Sequence, residues 1–159
     1  MRDVSLSDMG QVLSWRNSET CVRYAKSNSA VSSSQHKIWF EDRILKNSKE
    51  PYFIFTKNNQ DIGSVRFDLV QQNSKVFLTS IIINPEFYGL GFGSKVLSLA
   101  ISQMIQNFPK IDLTAEIHDE NKASIKIFKQ NHFKLINNDG KFGLYRLTTS
   151  DFLLQSKGN

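Results

Sequence analysis

The sequence predicts an α/β chain built on a mostly antiparallel sheet flanked by about four helices, and three observations carry that expectation. Apolar residues recur at helical spacing in four separate segments. Short alternating or wholly apolar runs, broken by Asn-, Asp- and Gly-rich turns, fill the space between them. The resulting order is helix, helix, three strands, helix, strand, helix, two strands.

The elements follow in that order. "SLSDMGQVLSWRNS" (5–18) sets Leu6, Met9, Val12, Leu13 and Trp15 at roughly helical spacing behind the caps Ser5 and Ser7. "SSSQHKIWFEDRILKN" (32–47) predicts a second helix in which Ile38, Trp39, Arg43 and Leu45 alternate between buried and wet faces. "PYFIFTKN" (51–58) and "DIGSVRFDLV" (61–70) read as a hairpin through "KNNQD". "KVFLTSIIINP" (75–85) is a strand whose "IIIN" end is apolar on both faces, as in a sheet interior. "SKVLSLAISQMIQNF" (94–108) is an amphipathic helix on Val96, Leu97, Ala100, Ile101, Met104 and Ile105. "KIDLTAEIHD" (110–119) alternates as a strand, and "ENKASIKIFKQNHF" (120–133) turns Ile125 and Phe128 inward as a short helix. "FKLI" and "FGLYRLT" close the chain as a hairpin through "NNDGK".

Composition narrows the class. The 159 residues, 40% of them hydrophobic, predict one domain over 1–159 with one ordinary core. The formal charge of +5 is spread along the chain, which suits an anionic small ligand; no Lys/Arg-dense tract indicates nucleic acid. Cys21 is the only cysteine, so a disulfide framework or thiolate-rich metal site within the chain is excluded. No apolar stretch approaches a membrane span, and "MRDVSLSDMGQVLSW" lacks a signal-peptide core, so the expectation is a cytoplasmic protein without a membrane partner. No His/Asp/Glu cluster has metal-ligand spacing, and no metal is expected.

The chemistry concentrates in "INPEFYGLGFGSKVL" (83–97), where a strand runs into Gly89, Gly91 and Gly93 and then a helix. Unpaired N–H groups at a helix start, approached through glycines, form a phosphate cradle in outline. A dinucleotide fingerprint needs G-x-G-x-x-G, and a P-loop needs Gly-Lys-Ser/Thr; neither spacing is present.

"YGLGFG" instead resembles the acetyl-CoA loop of the GNAT family of N-acetyltransferases, written Arg/Gln-x-x-Gly-x-Gly/Ala, with Tyr88 in the place of the basic or amide residue. Downstream, "NKASIKIFKQNHF" resembles the family's N-x-x-A-x-x-x-Y-x-x-x-G-F helix at Asn121 and Phe133. "VLSWRNSETCVRY" and "SSQHKIWFEDRI" resemble the branch that acetylates nucleotide-linked amino sugars and ribosomal-protein N-termini.

The resemblance implies acetyl-CoA as co-substrate, with the backbone of Tyr88, Gly89, Leu90, Gly91, Phe92, Gly93 and Ser94 on its pyrophosphate. Ile82 and Ile83, at the end of a strand that splays from its neighbour, would offer backbone groups to pantetheine and thioester; Asn121 would bond the pantetheine arm. Such an oxyanion donor lowers a barrier by roughly 3–4 kcal/mol. Phe128 stands where the family's acidic tyrosine stands and has no proton to give, so either the thiolate leaves without a side-chain acid or another group substitutes, Ser124 or a water on Asn121 being the candidates. His118 is the candidate base, with Glu116 on the same face as an alternative; the bland reading of His118 is a surface turn residue. Trp15, Arg16, Asn17 and His36 are acceptor candidates, against core, solvated or capping roles, and His132 at the family's glycine is structural. The implied function is acetylation of a primary amine, foremost on a nucleotide-linked amino sugar, with a protein N-terminus or a non-catalytic acetyl-CoA-binding module as alternatives. The family often dimerises.

Overall fold

A computed structural model describes residues 1–46, 50–71 and 75–156, with side chains through residue 153. Seven strands form one sheet in the order β1-β2-β3-β4-β5-β7-β6. They are β1 (Arg2–Asp3), β2 (Tyr52–Lys57), β3 (Gln60–Leu69), β4 (Val76–Ile83), β5 (Asp112–His118), β6 (Lys134–Asn138) and β7 (Phe142–Thr148). All neighbours pair antiparallel except β4 and β5, which are parallel because the crossover between them is a helix. Six α-helices are seen among the described residues: α1 (Met9–Arg16), α2 (Glu19–Arg23), α3 (Ser33–Lys46), α4 (Phe92–Asn107), α5 (Lys122–Gln130) and α6 (Thr149–Ser156).

The sheet separates two apolar layers. On one face, Val96, Leu97, Ala100, Ile101 and Met104 of α4 and Phe128 of α5 bury against Phe53, Phe67, Phe77, Leu113 and Ile117. On the other, Val12 and Trp15 of α1 and Phe40 of α3 close on Tyr52 and Ile54. At about 25 cal/mol per Å² of apolar surface, burying side chains of this size stabilises by roughly 2 kcal/mol each before chain entropy is counted.

Most predicted elements are present with shifted ends. The first helix begins as a 3-10 turn (Leu6–Asp8), where Ser5 N–H donates to the Asp8 carboxylate at 2.8 Å. The β2–β3 turn is Asn58-Asn59 with φ of 49° and 63°, the left-handed pair that a two-residue hairpin requires. Strand β1 and helices α2 and α6 are additions that the pattern did not announce, being short or weakly periodic. Asn47, the last residue of the predicted second helix, lies outside the described residues.

The face of α3 is a correction. Ile38 and Leu45 are exposed at 71% and 70%, while His36, Phe40 and Arg43 turn inward. Arg43 can be buried because its guanidinium meets Glu50 at 2.8 Å and the Phe67 carbonyl at 2.9 Å, which offsets desolvation. Hydropathy alone assigns an arginine to the wet face; tertiary partners reverse that.

Candidate active site

Strand β4 runs to Ile83 and β5 to His118, yet they pair only at Val76–Asp112, Phe77–Leu113 and Leu78–Thr114. Beyond these pairs the strands part and open a gap. Backbone direction alternates along each strand, so single bonds fix which groups face it. Asn84 N–H donates to Ile62 O in β3 at 3.0 Å, while Phe77 O accepts from Thr114 on the β5 side. Even-numbered residues of β4 are therefore committed to β3, and the N–H and C=O of Ile81 and Ile83 point into the gap. Ile83 was expected there. Ile82 is corrected: its backbone faces β3 and its side chain joins the second apolar layer. Ile81 was missed, because apolarity on both faces says nothing about which edge a carbonyl faces. From β5, Asp112 N–H points to Lys75 O, so the backbones of Glu116 and His118 face the same gap.

The glycine corner closes the top of this gap. Each glycine is there for its own reason. Gly89 and Gly91 have φ of 76° and 75° with open space around a would-be Cβ, so conformation selects them. Gly93 is right-handed and buried, and a Cβ on it would lie 2.5 Å from Ile127 Cδ1, so packing of α4 on α5 selects it. Gly91 is the N-cap of α4 and offers no side-chain acceptor, so the first N–H groups of that helix remain open. Such an end takes an anion. Asn131 pins the corner from behind: its Nδ2 donates to Ser94 O and Oγ at 3.2 Å and to Ile127 O at 2.9 Å. This buried residue was missed, since its partner is 37 residues away. Leu90 is exposed, and Phe92 packs on Phe87 at 5.9 Å. Lys57 Nζ lies 4.6 Å over the Phe92 ring, so a cation stands at this corner although position 88 has none.

Tyr88 is 40% exposed, and its hydroxyl lies 3.4 Å from Ser18 Oγ; burial raises its pKa above the ordinary phenol value, keeping it protonated. The contact reveals a feature that sequence reasoning left blank. Residues 17–31 form a strap across the gap, closed on itself where Asn17 exchanges two 2.8 Å bonds with the backbone of Val31. From the strap, Tyr24 lies tilted against His118 at 5.6 Å, Lys26 Nζ meets Glu116 at 2.6 Å, and Arg23 reaches Glu120 at 3.8 Å.

The strap and its neighbours decide what the candidate residues can do. His118 Nδ1 accepts the Glu120 N–H at 3.1 Å, so the neutral ring carries its proton at Nε2. In that tautomer Nε2 donates rather than accepts, which favours Glu116 over His118 as the base. Glu116 has its carboxylate on the strap side. Asn121 caps α5 by accepting Ser124 N–H at 3.1 Å, and its amide N–H groups face no such demand and suit a ligand acceptor. Ser124 is half-buried in the first turn of α5. Phe128 is buried edge-on to Phe133 at 4.9 Å.

Of the four acceptor candidates, three are claimed by the structure. Trp15 is 4% exposed in the second layer. Asn17 staples the strap. His36 is buried with Nε2 donating to Met9 O at 3.1 Å, and burial lowers its pKa. Only Arg16 keeps a spare donor: its Nη1 is buried without a hydrogen-bond partner. Among the described residues no cluster of His, Cys, Asp or Glu could hold a metal, and no helix is long and apolar enough to cross a membrane.

The parted strand pair leaves backbone groups open beside an uncapped helix N-terminus, an arrangement that can seat an anion. The family model described as an acetyltransferase (GNAT) domain matches residues 1–134. The chain belongs to that family and is an N-acetyltransferase. It is 22% identical over 149 residues to the acetyltransferase PseH of Campylobacter jejuni, covering 94% of this chain and 91% of that protein. A spermidine N-acetyltransferase from Vibrio cholerae, solved with CoA and spermine, superposes with a TM-score of 0.82 at 15% identity over 96% of each chain. An N-acetyltransferase from Staphylococcus aureus Mu50 gives 0.73 at 22% identity over 93% and 96%.

Proposed function

We propose that the chain is a single acetyl-CoA-dependent domain that acetylates a primary amine on an anionic small molecule, a nucleotide-linked amino sugar. The observation that carries the reading is the gap between β4 and β5 beneath the open N-terminus of α4. Diphosphate oxygens at the corner would accept the first N–H groups of α4, with Lys57 alongside and Asn121 on the pantetheine arm. The thioester carbonyl would accept from Ile81 or Ile83 N–H in the gap, where developing negative charge meets a donor already in place. Glu116 would take the proton from the incoming ammonium, directly or through a water. His118 Nε2–H would donate to an acceptor oxygen. Phe128 contributes shape alone, so the thiolate takes its proton from Ser124 or water.

The anionic acceptor rests on two supports: the buried, unpartnered Nη1 of Arg16 and the net charge of +5. An arginine fork suits a diphosphate. The lone thiol of Cys21 fits a reducing compartment such as the cytoplasm.

A thiol-release assay with acetyl-CoA against UDP-linked amino sugars, polyamines and N-terminal peptides tests the reading. Release with the sugar panel alone is expected, and Arg16→Ala should raise KM for the sugar with kcat little changed. Turnover with peptides only would replace the acceptor, and acetyl-CoA binding without turnover of any amine would favour a non-catalytic binding module.

A further inference from the structure

Lys26 carries the same functional group as the acceptor, and it stands on the carboxylate that would activate that acceptor. Its Nζ is 2.6 Å from Glu116 Oε2 and 5.8 Å over the Phe142 ring, and the side chain is 60% exposed. The position along the strand matters. β4 and β5 last pair at Leu78–Thr114, and Glu116 is the next residue of β5 on that face, at the point where the gap opens. An acyl group lying in the gap with its carbonyl on Ile81 or Ile83 N–H would meet whatever amine sits at Glu116. With no acceptor bound, that amine is Lys26.

We infer that Lys26 is an internal acceptor: the enzyme acetylates its own strap at Lys26 when no amine substrate is present. The inference rests on the acetyl-transfer reading above. The Lys26 ammonium gives one proton to the Glu116 carboxylate, and its lone pair attacks the thioester carbonyl carbon. The new C–N bond forms as the C–S bond breaks, and the electron pair leaves on sulfur. The thiolate takes up the second proton that the attacking nitrogen sheds, giving Nε-acetyl-Lys26 and free coenzyme A, and the proton held on Glu116 leaves to solvent as the one net proton released. The resulting amide is neutral and no longer pairs with Glu116, so one of the ties holding the strap is lost.

The test incubates the full-length protein with acetyl-CoA alone and follows each lysine by mass spectrometry after digestion with a protease that does not cut at lysine. Lys26 should be labelled at least about tenfold faster than the exposed Lys110 at the far end of the sheet, because proximity and orientation favour it. The rate should not depend on protein concentration, as expected for a reaction within one chain. Glu116→Gln should slow labelling of Lys26 on the order of a hundredfold and leave Lys110 unchanged. Thermal melting of that near-isosteric variant shows whether its fold is intact, and Lys26→Arg, which keeps the ion pair, should abolish the label. Equal labelling of Lys26 and Lys110, insensitivity to Glu116→Gln, or a rate proportional to protein concentration would overturn the inference. Failure of acetyl-CoA to bind at all, read as no thermal shift, would overturn the cofactor reading as well; binding without selective labelling overturns only the Lys26 proposal.

Discussion

His132 has a φ of 65°, a conformation that costs a side chain with a Cβ about 1 kcal/mol or more. It follows the C-cap Asn131 of α5 and lets Phe133 N–H return to Phe128 O at 3.1 Å. His132→Gly should therefore raise the urea midpoint by the equivalent of roughly 0.5–1 kcal/mol with the slope unchanged, the relief of strain being partly cancelled by a freer unfolded chain. The glycines of the corner separate conformation from space. Gly93→Ala should destabilise by roughly 1–2 kcal/mol through overpacking on Ile127, and Ile127→Val should recover part of that in a double-mutant cycle. Gly91→Ala should cost a similar amount through its φ of 75°, and Ile127→Val should recover none of it. Equal rescue of both would refute the distinction.

At the scale of elements, the strap is held by few bonds and is the part most readily freed. Asn17 supplies two bonds to Val31, each worth roughly 1 kcal/mol net. Asn17→Ala should leave the melting of the sheet nearly unchanged while speeding tryptic cleavage after Arg23 or Lys26 several-fold, because local opening is what the protease samples. The corner and α5 behave differently. Asn131 sits between Ser94 and Ile127, so Asn131→Ala should loosen α4 against α5 and weaken coenzyme A binding without touching the ligand. Calorimetric titration with coenzyme A checks this, and an unaltered affinity would remove Asn131 from the site.

For the whole molecule, the clearest pH response comes from the second layer. His36 of α3 is buried against α1, and burial holds its pKa below the ordinary 6.5. Between the two pKa values the unfolded chain binds more protons than the folded one, so stability rises with pH there. The contribution is complete above pH 6.5 and is lost as pH falls toward the lower folded value. Asp8, held low by its bond to Arg2, acts in a separate window below its ordinary 3.8. Melting temperature should thus fall as pH drops below 6.5 in the native chain, and His36→Gln should flatten that fall alone.

Local pattern by itself determined the two hairpins, the amphipathic α4, the buried strand β4 and the glycine corner, since period, turn residues and spacing are properties of neighbours in the chain. The resemblance added the parted strands and the roles of Asn121 and Phe128, the latter buried where a tyrosine was expected. What tertiary structure decided concerns residues distant in sequence. Arg43 faces inward because Glu50 and Phe67 receive it, and Trp15 and His36 leave the acceptor list because α1 and α3 close on β2. His118 became a donor through one backbone N–H. Lys26, unmarked in the sequence, reaches Glu116 only because the strap folds back over a gap that opens ninety residues later. Spacing along a chain records which face a residue takes, but which partner neutralises, caps or orients it depends on contacts that form only when separate elements pack.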